Sequence, residues 1–118
     1  MAIGYGVAVP KGRTRKQLKA RKDREDAKQL KVFRDAVWLR ESQLLMNKNP
    51  NWISINVAAC QHCGHLVQRM PDLLTGEVHH RISRRHKATR YDPDNGVLLC
   101  NHLVNNCHEK AERGDIKV

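Results

Sequence analysis

The chain has 118 residues, enough for one domain of marginal stability. It offers one Phe, two Trp and two Tyr as large aromatic fillers, so disulfides or a metal are expected to reinforce a small core. A formal net charge of +10 and a pI near 9.9 imply a polyanionic partner, nucleic acid first. An anionic membrane surface fits less well, because few apolar residues oppose the basic ones early in the chain.

Residues 1–13 carry glycines and a proline without periodicity and read as a flexible arm. Residues 14–49 read as a basic helical extension, helical to about Met46 and free of Pro and Gly. Its first half is almost wholly polar. Leu30, Phe33 and Val37 then fall at i, i+3 and i+7, with Trp38 and Leu45 on neighbouring rows, so the second half is expected to dock while the first half projects. Basic residues outnumber acidic ones about three to one between Lys11 and Arg40. Arg15, Lys16, Lys19 and Lys22 are therefore candidates for phosphate contact, against a solvated face with pairs such as Lys22–Asp26.

Asn47 to Asn51, around Pro50, breaks the helix. Residues 50–118 form the second unit. Ile53, Ile55 and Val57 alternate as a short strand, and Leu66-Val67 suits a return strand after Gly64. Met70 to Asp72 reads as a loop, and Leu73 to Gly76 ends in a turn. Glu77 to Ile82 and Gly96 to Leu99 read as strands on either side of a basic loop. A helix over 105–113 is capped by Asn105 or Asn106 and ended by Gly114. The expected fold class is α+β.

The four cysteines form two pairs, Cys60 with Cys63 and Cys100 with Cys107. No apolar signal segment is visible at the N-terminus and no run approaches the ~20 apolar residues of a membrane span. A cytoplasmic setting follows, where thiols stay reduced and paired cysteines bind metal rather than each other. Four thiolates close a tetrahedral shell, which makes the ion structural zinc. The alternatives are a Cys2His2 finger, which strands two cysteines, and an iron–sulfur cluster; a redox role for Cys60-x-x-Cys63 leaves the other pair and the charge unexplained. His79 and His80, adjacent on a strand, must face opposite ways, so one can bind a metal while the other acts as a base. His62, His65 and His86 are expected to be solvent-exposed.

The run from Cys60-x-x-Cys63 through Glu77-Val78-His79-His80 and Asp94-Asn95-Gly96 to Cys100 and Cys107-His108 resembles the HNH endonucleases, the zinc-bound branch of the ββα-metal (His-Me finger) nucleases common in phages. The resemblance covers roughly residues 55–113 and implies a small ββα-metal domain behind a long basic helix. It implies metal-dependent hydrolysis of DNA phosphodiesters to 5′-phosphate and 3′-hydroxyl ends. His80 would activate water, His79 and His108 would bind the catalytic cation, and Asn95 would fix the loop between the strands. Arg81, Arg84, Arg85 and Lys87 would grip the backbone without reading sequence. The implied partner is DNA, mainly double-stranded, with a homodimer or a phage packaging protein as further partners and no membrane. The implied location is the cytoplasm, the host's for a phage-encoded chain.

Two departures bear on the metals. His79 stands where many members have Asp, which favours Mn2+, Ni2+ or Zn2+ relative to Mg2+. Six residues separate Cys100 from Cys107 instead of the commoner two, leaving His102 available for an extra contact. The alternative function is a zinc-stabilised nucleic-acid-binding module without catalysis.

Overall fold

Thr14 starts the long helix α1, Arg15–Lys48, in the computed structural model, which describes residues 12, 14–49, 56–102 and 105–118. The Thr14 hydroxyl accepts from the Gln17 N–H at 3.2 Å and the Gln17 side chain accepts from the Thr14 N–H at 2.9 Å, a capping box that satisfies two donors at the frayed end. The expected arm (apart from Gly12), Pro50, the Ile53–Ile55 part of the first expected strand, and Leu103-Val104 lie outside the described residues.

The two halves of α1 differ as their patterns predict. Arg15 to Glu25 are all exposed, whereas Leu30, Phe33, Val37, Trp38 and Ser42 are buried. The Lys22–Asp26 pair that a solvated face would offer does not form. Asp26 instead accepts from the Tyr91 hydroxyl and lies 3.5 Å from the Arg90 guanidinium, tying the emerging helix to the loop before β5. Lys31 and Asp35 make the i, i+4 pair at 2.9 Å.

Three short strands, β1 (Val57–Ala59), β2 (Leu66–Met70) and β3 (Leu73–Leu74), form one antiparallel sheet in that order. Gly64 supplies the turn between β1 and β2 at φ +79°, where a side chain would strain the backbone. Leu73-Leu74, expected as part of a turn, instead pairs with Arg69 and Met70. β4 (Gly76–His80) and β5 (Gly96–Cys100) form a second antiparallel pair, with His80 opposite Gly96. Helix α2 (Cys107–Glu112) follows, capped by Asn106, whose side chain accepts from the Glu109 N–H at 3.0 Å. Gly114 at φ +78° closes it. The α+β class therefore holds: one long helix, two small antiparallel sheets and a short final helix.

The core joins α1 to both sheets. Phe33, Val37 and Trp38 pack with Ala58, Val67 and the fully buried Val97-Leu98-Leu99 of β5. Gly96 permits this approach, since a Cβ there would lie 2.5 Å from Val37 Cγ2 and 2.9 Å from Phe33 Cζ. Arg40 locks the junction by donating to the Pro93 carbonyl at 2.8 Å and the Gly96 carbonyl at 2.9 Å. Among the described residues, no helix is long and apolar enough to cross a membrane.

Two candidate metal sites and a cleft

The four cysteines converge. Gln61, inside the Cys60–Cys63 turn, exchanges backbone bonds with the middle of β5: its N–H donates to the Leu98 carbonyl at 2.8 Å, and its side-chain oxygen accepts from the Leu98 N–H at 2.7 Å. That brings the turn against Cys100, while α2 delivers Cys107 from its first position. One sulfur from each cysteine lies within 4.8 Å of the others, and Cys63 Sγ is 3.6 Å from Cys100 Sγ. Ligands at about 2.3 Å in a tetrahedron stand about 3.8 Å apart, so the spacing suits an enclosed ion such as zinc. No disulfide is formed.

Charge agrees with that use. Burial pushes the Cys60 thiol up, but N–H groups of Cys63, Cys100 and His62 aimed at its sulfur bring it down to about 7. Burial and the neighbouring thiols push Cys107 strongly up. Four thiols so close cannot all ionise without a cation to hold them. The longer spacing before Cys107 therefore leaves the cluster intact. His62 and His65 are exposed, as expected, yet both border the cluster. His62 Nδ1 is 3.6 Å from Cys107 Sγ, and His65 Nε2 accepts from the Asn105 side chain at 3.0 Å. His102 stands edge-on to His65 at 5.9 Å.

A second group lies on the other side of the β4–β5 pair. Strand alternation turns His79 toward α2 and His80 toward α1. His79 Nδ1 is 3.2 Å from Glu112 Oε1, and His108 Nε2 is 3.5 Å from the same oxygen. His79, His108 and Glu112 each offer one ligand atom within 4.8 Å of the others, a donor set that fits a divalent cation. Glu77 Oε2 meets His108 Nδ1 at 3.1 Å, which orients that imidazole with its other nitrogen toward Glu112. Glu112 and Glu77 were not singled out from sequence. The signal for Glu112 was present, since His108 and Glu112 stand at i, i+4 on the expected last helix.

His80 lies flat on Phe33, with ring centroids 4.5 Å apart and planes 14° from parallel. Its Nε2 is 2.9 Å from the Arg90 carbonyl, so that nitrogen carries the proton and Nδ1 is the free acceptor. Burial lowers the His80 pKa below the ordinary imidazole value, and the positive charges of Arg84 and Arg34 add to the effect. Buried Asn95 bonds the Thr89 carbonyl, next to Arg90, and the start of the same loop. The Asn95 side chain accepts from the Ile82 N–H at 2.7 Å and donates to the carbonyls of Ile82 at 3.0 Å and Thr89 at 3.2 Å. Asn95 thus clamps both ends of the loop 82–89 and touches neither metal group.

A cleft of about 660 Å3 is lined by His79, His80, His108 and Glu112 together with Arg34, Arg81 and Arg84. Of the basic residues singled out from sequence, Arg81 and Arg84 line it. Arg85 and Lys87 are exposed on the same loop, and Arg15, Lys16, Lys19 and Lys22 are exposed on the projecting half of α1. Compared with protein-family models, curated proteins and solved structures, the chain has no match.

Proposed function

We propose that the chain is a metal-dependent endonuclease of the HNH (ββα-metal) kind, acting on double-stranded DNA from the cytoplasm. The observation that carries this reading is His80: an imidazole whose Nε2 faces the Arg90 carbonyl at 2.9 Å, in the same basic cleft as a His79–His108–Glu112 cation group. A binding module has no need of an imidazole so held beside a metal site.

In this reading the Cys60, Cys63, Cys100 and Cys107 sulfurs hold structural zinc. His79, His108 and Glu112 would hold the catalytic cation, with Mn2+ and Ni2+ suiting the two imidazoles better than Mg2+. When bound, the cation would supply Lewis-acid neutralisation of developing negative charge. His80 takes a proton from water at Nδ1 as the oxygen adds to phosphorus and the bond to the 3′ oxygen breaks; the leaving 3′ oxygen takes a proton from solvent, giving 5′-phosphate and 3′-hydroxyl ends. The Arg90 carbonyl on Nε2 favours the tautomer needed for this step, and Asn95 bonds the adjacent Thr89 carbonyl. Arg81 and Arg84 position the backbone, and the exposed Arg15, Lys16, Lys19 and Lys22 of α1 add affinity along the duplex.

Plasmid nicking with Mg2+, Mn2+ and Ni2+ tests the reading. Wild type nicks supercoiled DNA with at least one metal, and His80→Ala stops nicking while leaving a gel shift nearly unchanged. Intact supercoil with every metal, alongside a retained gel shift, leaves a nucleic-acid-binding module instead. Equal nicking by His80→Ala removes the proposed base.

A further inference from the structure

We propose that Arg34, on α1 and outside the strand–strand–helix unit, grips the phosphate being cut. This rests on the nuclease reading and assigns to the cleft a residue from the basic helix.

Arg34 lines the cleft with the metal-group residues and His80. Its backbone is rigidly placed. Phe33 beside it is 1% exposed and stacked on His80, and Val37 and Trp38 in the next turn are buried. Its guanidinium is uncommitted, like those of Arg81 and Arg84 from the loop, whereas Arg69, the other arginine of the cleft, is held by Asp35 at 2.5 Å over the Trp38 ring. Arg34 itself is exposed and has no hydrogen bond or ion pair among the described residues.

The nearby carboxylates are already engaged. Asp35 pairs with Lys31 and Arg69, Glu77 with His108, and Glu112 with His79 and His108. Among the described residues, no carboxylate pairs with Arg34. A planar guanidinium matches two phosphate oxygens, which a flexible ammonium does not. The exposed cations from Arg15 to Lys22 differ in kind, because they sit on the projecting half of α1 and do not line the cleft. They suit affinity, whereas Arg34 suits the reacting phosphate.

The test compares full-length wild type, Arg34→Ala, Arg34→Lys and Arg24→Ala. Duplex binding is followed by fluorescence anisotropy in EDTA over a salt series, and single-turnover cleavage by saturating protein is followed with Mn2+. Arg34→Ala is expected to reduce the slope of log Kd against log salt by about 0.9, the loss of one phosphate contact. Its saturated cleavage rate is expected to fall roughly 10²-fold, as when one positioned donor to a reacting oxyanion is removed. Arg34→Lys is expected to keep the slope and recover only part of the rate, and Arg24→Ala to leave the saturated rate unchanged.

An unchanged slope for Arg34→Ala overturns the contact. A reduced slope with an unchanged saturated rate places the contact away from the cut phosphate and also overturns the proposal. If wild type fails to nick with any metal, the nuclease reading falls and takes this inference with it. If wild type nicks and His80→Ala does not, while Arg34→Ala matches wild type, the inference alone falls.

Discussion

Phe33 and His80, one from the long helix and one from the strand pair, stack face to face with centroids 4.5 Å apart. The contact makes α1 part of the candidate catalytic centre as well as part of the core. Phe33→Leu keeps most of the buried volume and should cost about 1–1.5 kcal/mol of stability. It removes the flat surface that orients the imidazole, worth about 1 kcal/mol, so DNA nicking should fall about fivefold. Urea unfolding and nicking kinetics on the same preparation check both effects; loss of stability with an unchanged nicking rate would show that the stack only fills space.

Asn95 makes three side-chain hydrogen bonds to the loop backbone from a buried position. Asn95→Ala should cost about 2–4 kcal/mol, near 1 kcal/mol per bond lost. Asn95→Asp is almost isosteric yet should cost more, because it sets an acceptor against the Ile82 and Thr89 carbonyls. Urea denaturation ranks the two; a milder effect for Asn95→Asp would mean the loop rearranges around the new group.

The depressed His80 pKa carries a direction for pH dependence. Burial, with Arg84 and Arg34 nearby, favours the neutral imidazole in the folded state. The linked stability is fully present above the unfolded imidazole value of about 6.5 and is lost as pH falls through the lower folded value. The form able to accept a proton therefore persists below pH 6.5. An NMR titration of the His80 ring in protein lacking the second metal should give a midpoint below about 6.5. A midpoint at or above that value contradicts the burial argument.

The two metal groups should separate cleanly. Cys107 is buried at the start of α2, and Cys107→Ser should abolish cooperative unfolding, since structural zinc supplies about 10–16 kcal/mol in small domains, comparable to their whole stability. Exposed Glu112 contributes to the other group. Glu112→Gln should weaken Mn2+ or Ni2+ binding at least tenfold by calorimetry, leaving zinc content and the melting temperature close to wild type. Loss of zinc in Glu112→Gln would mean that the groups are not independent.

Local pattern by itself determined a good part of this molecule. The polar-to-apolar change along α1, the Cys60–Cys63 turn with Gly64, the Asn106 cap and the opposite facing of His79 and His80 follow from helical and strand periods and from single-residue conformational preferences. These are short-range effects, so a string of residues contains them. Tertiary structure decided which distant groups meet. Phe33 reaches His80 only because Gly96 lets α1 settle on β5. Glu112 joins His79 and His108 only because α2 folds back across β4, and Asp26 abandons its helical neighbour Lys22 for Arg90 and Tyr91. β3 forms because β2 is there to pair with it, although Leu73-Leu74 is too short to declare itself as a strand. Apart from that short hairpin, each of these depends on packing between elements remote in the chain, which no local periodicity encodes.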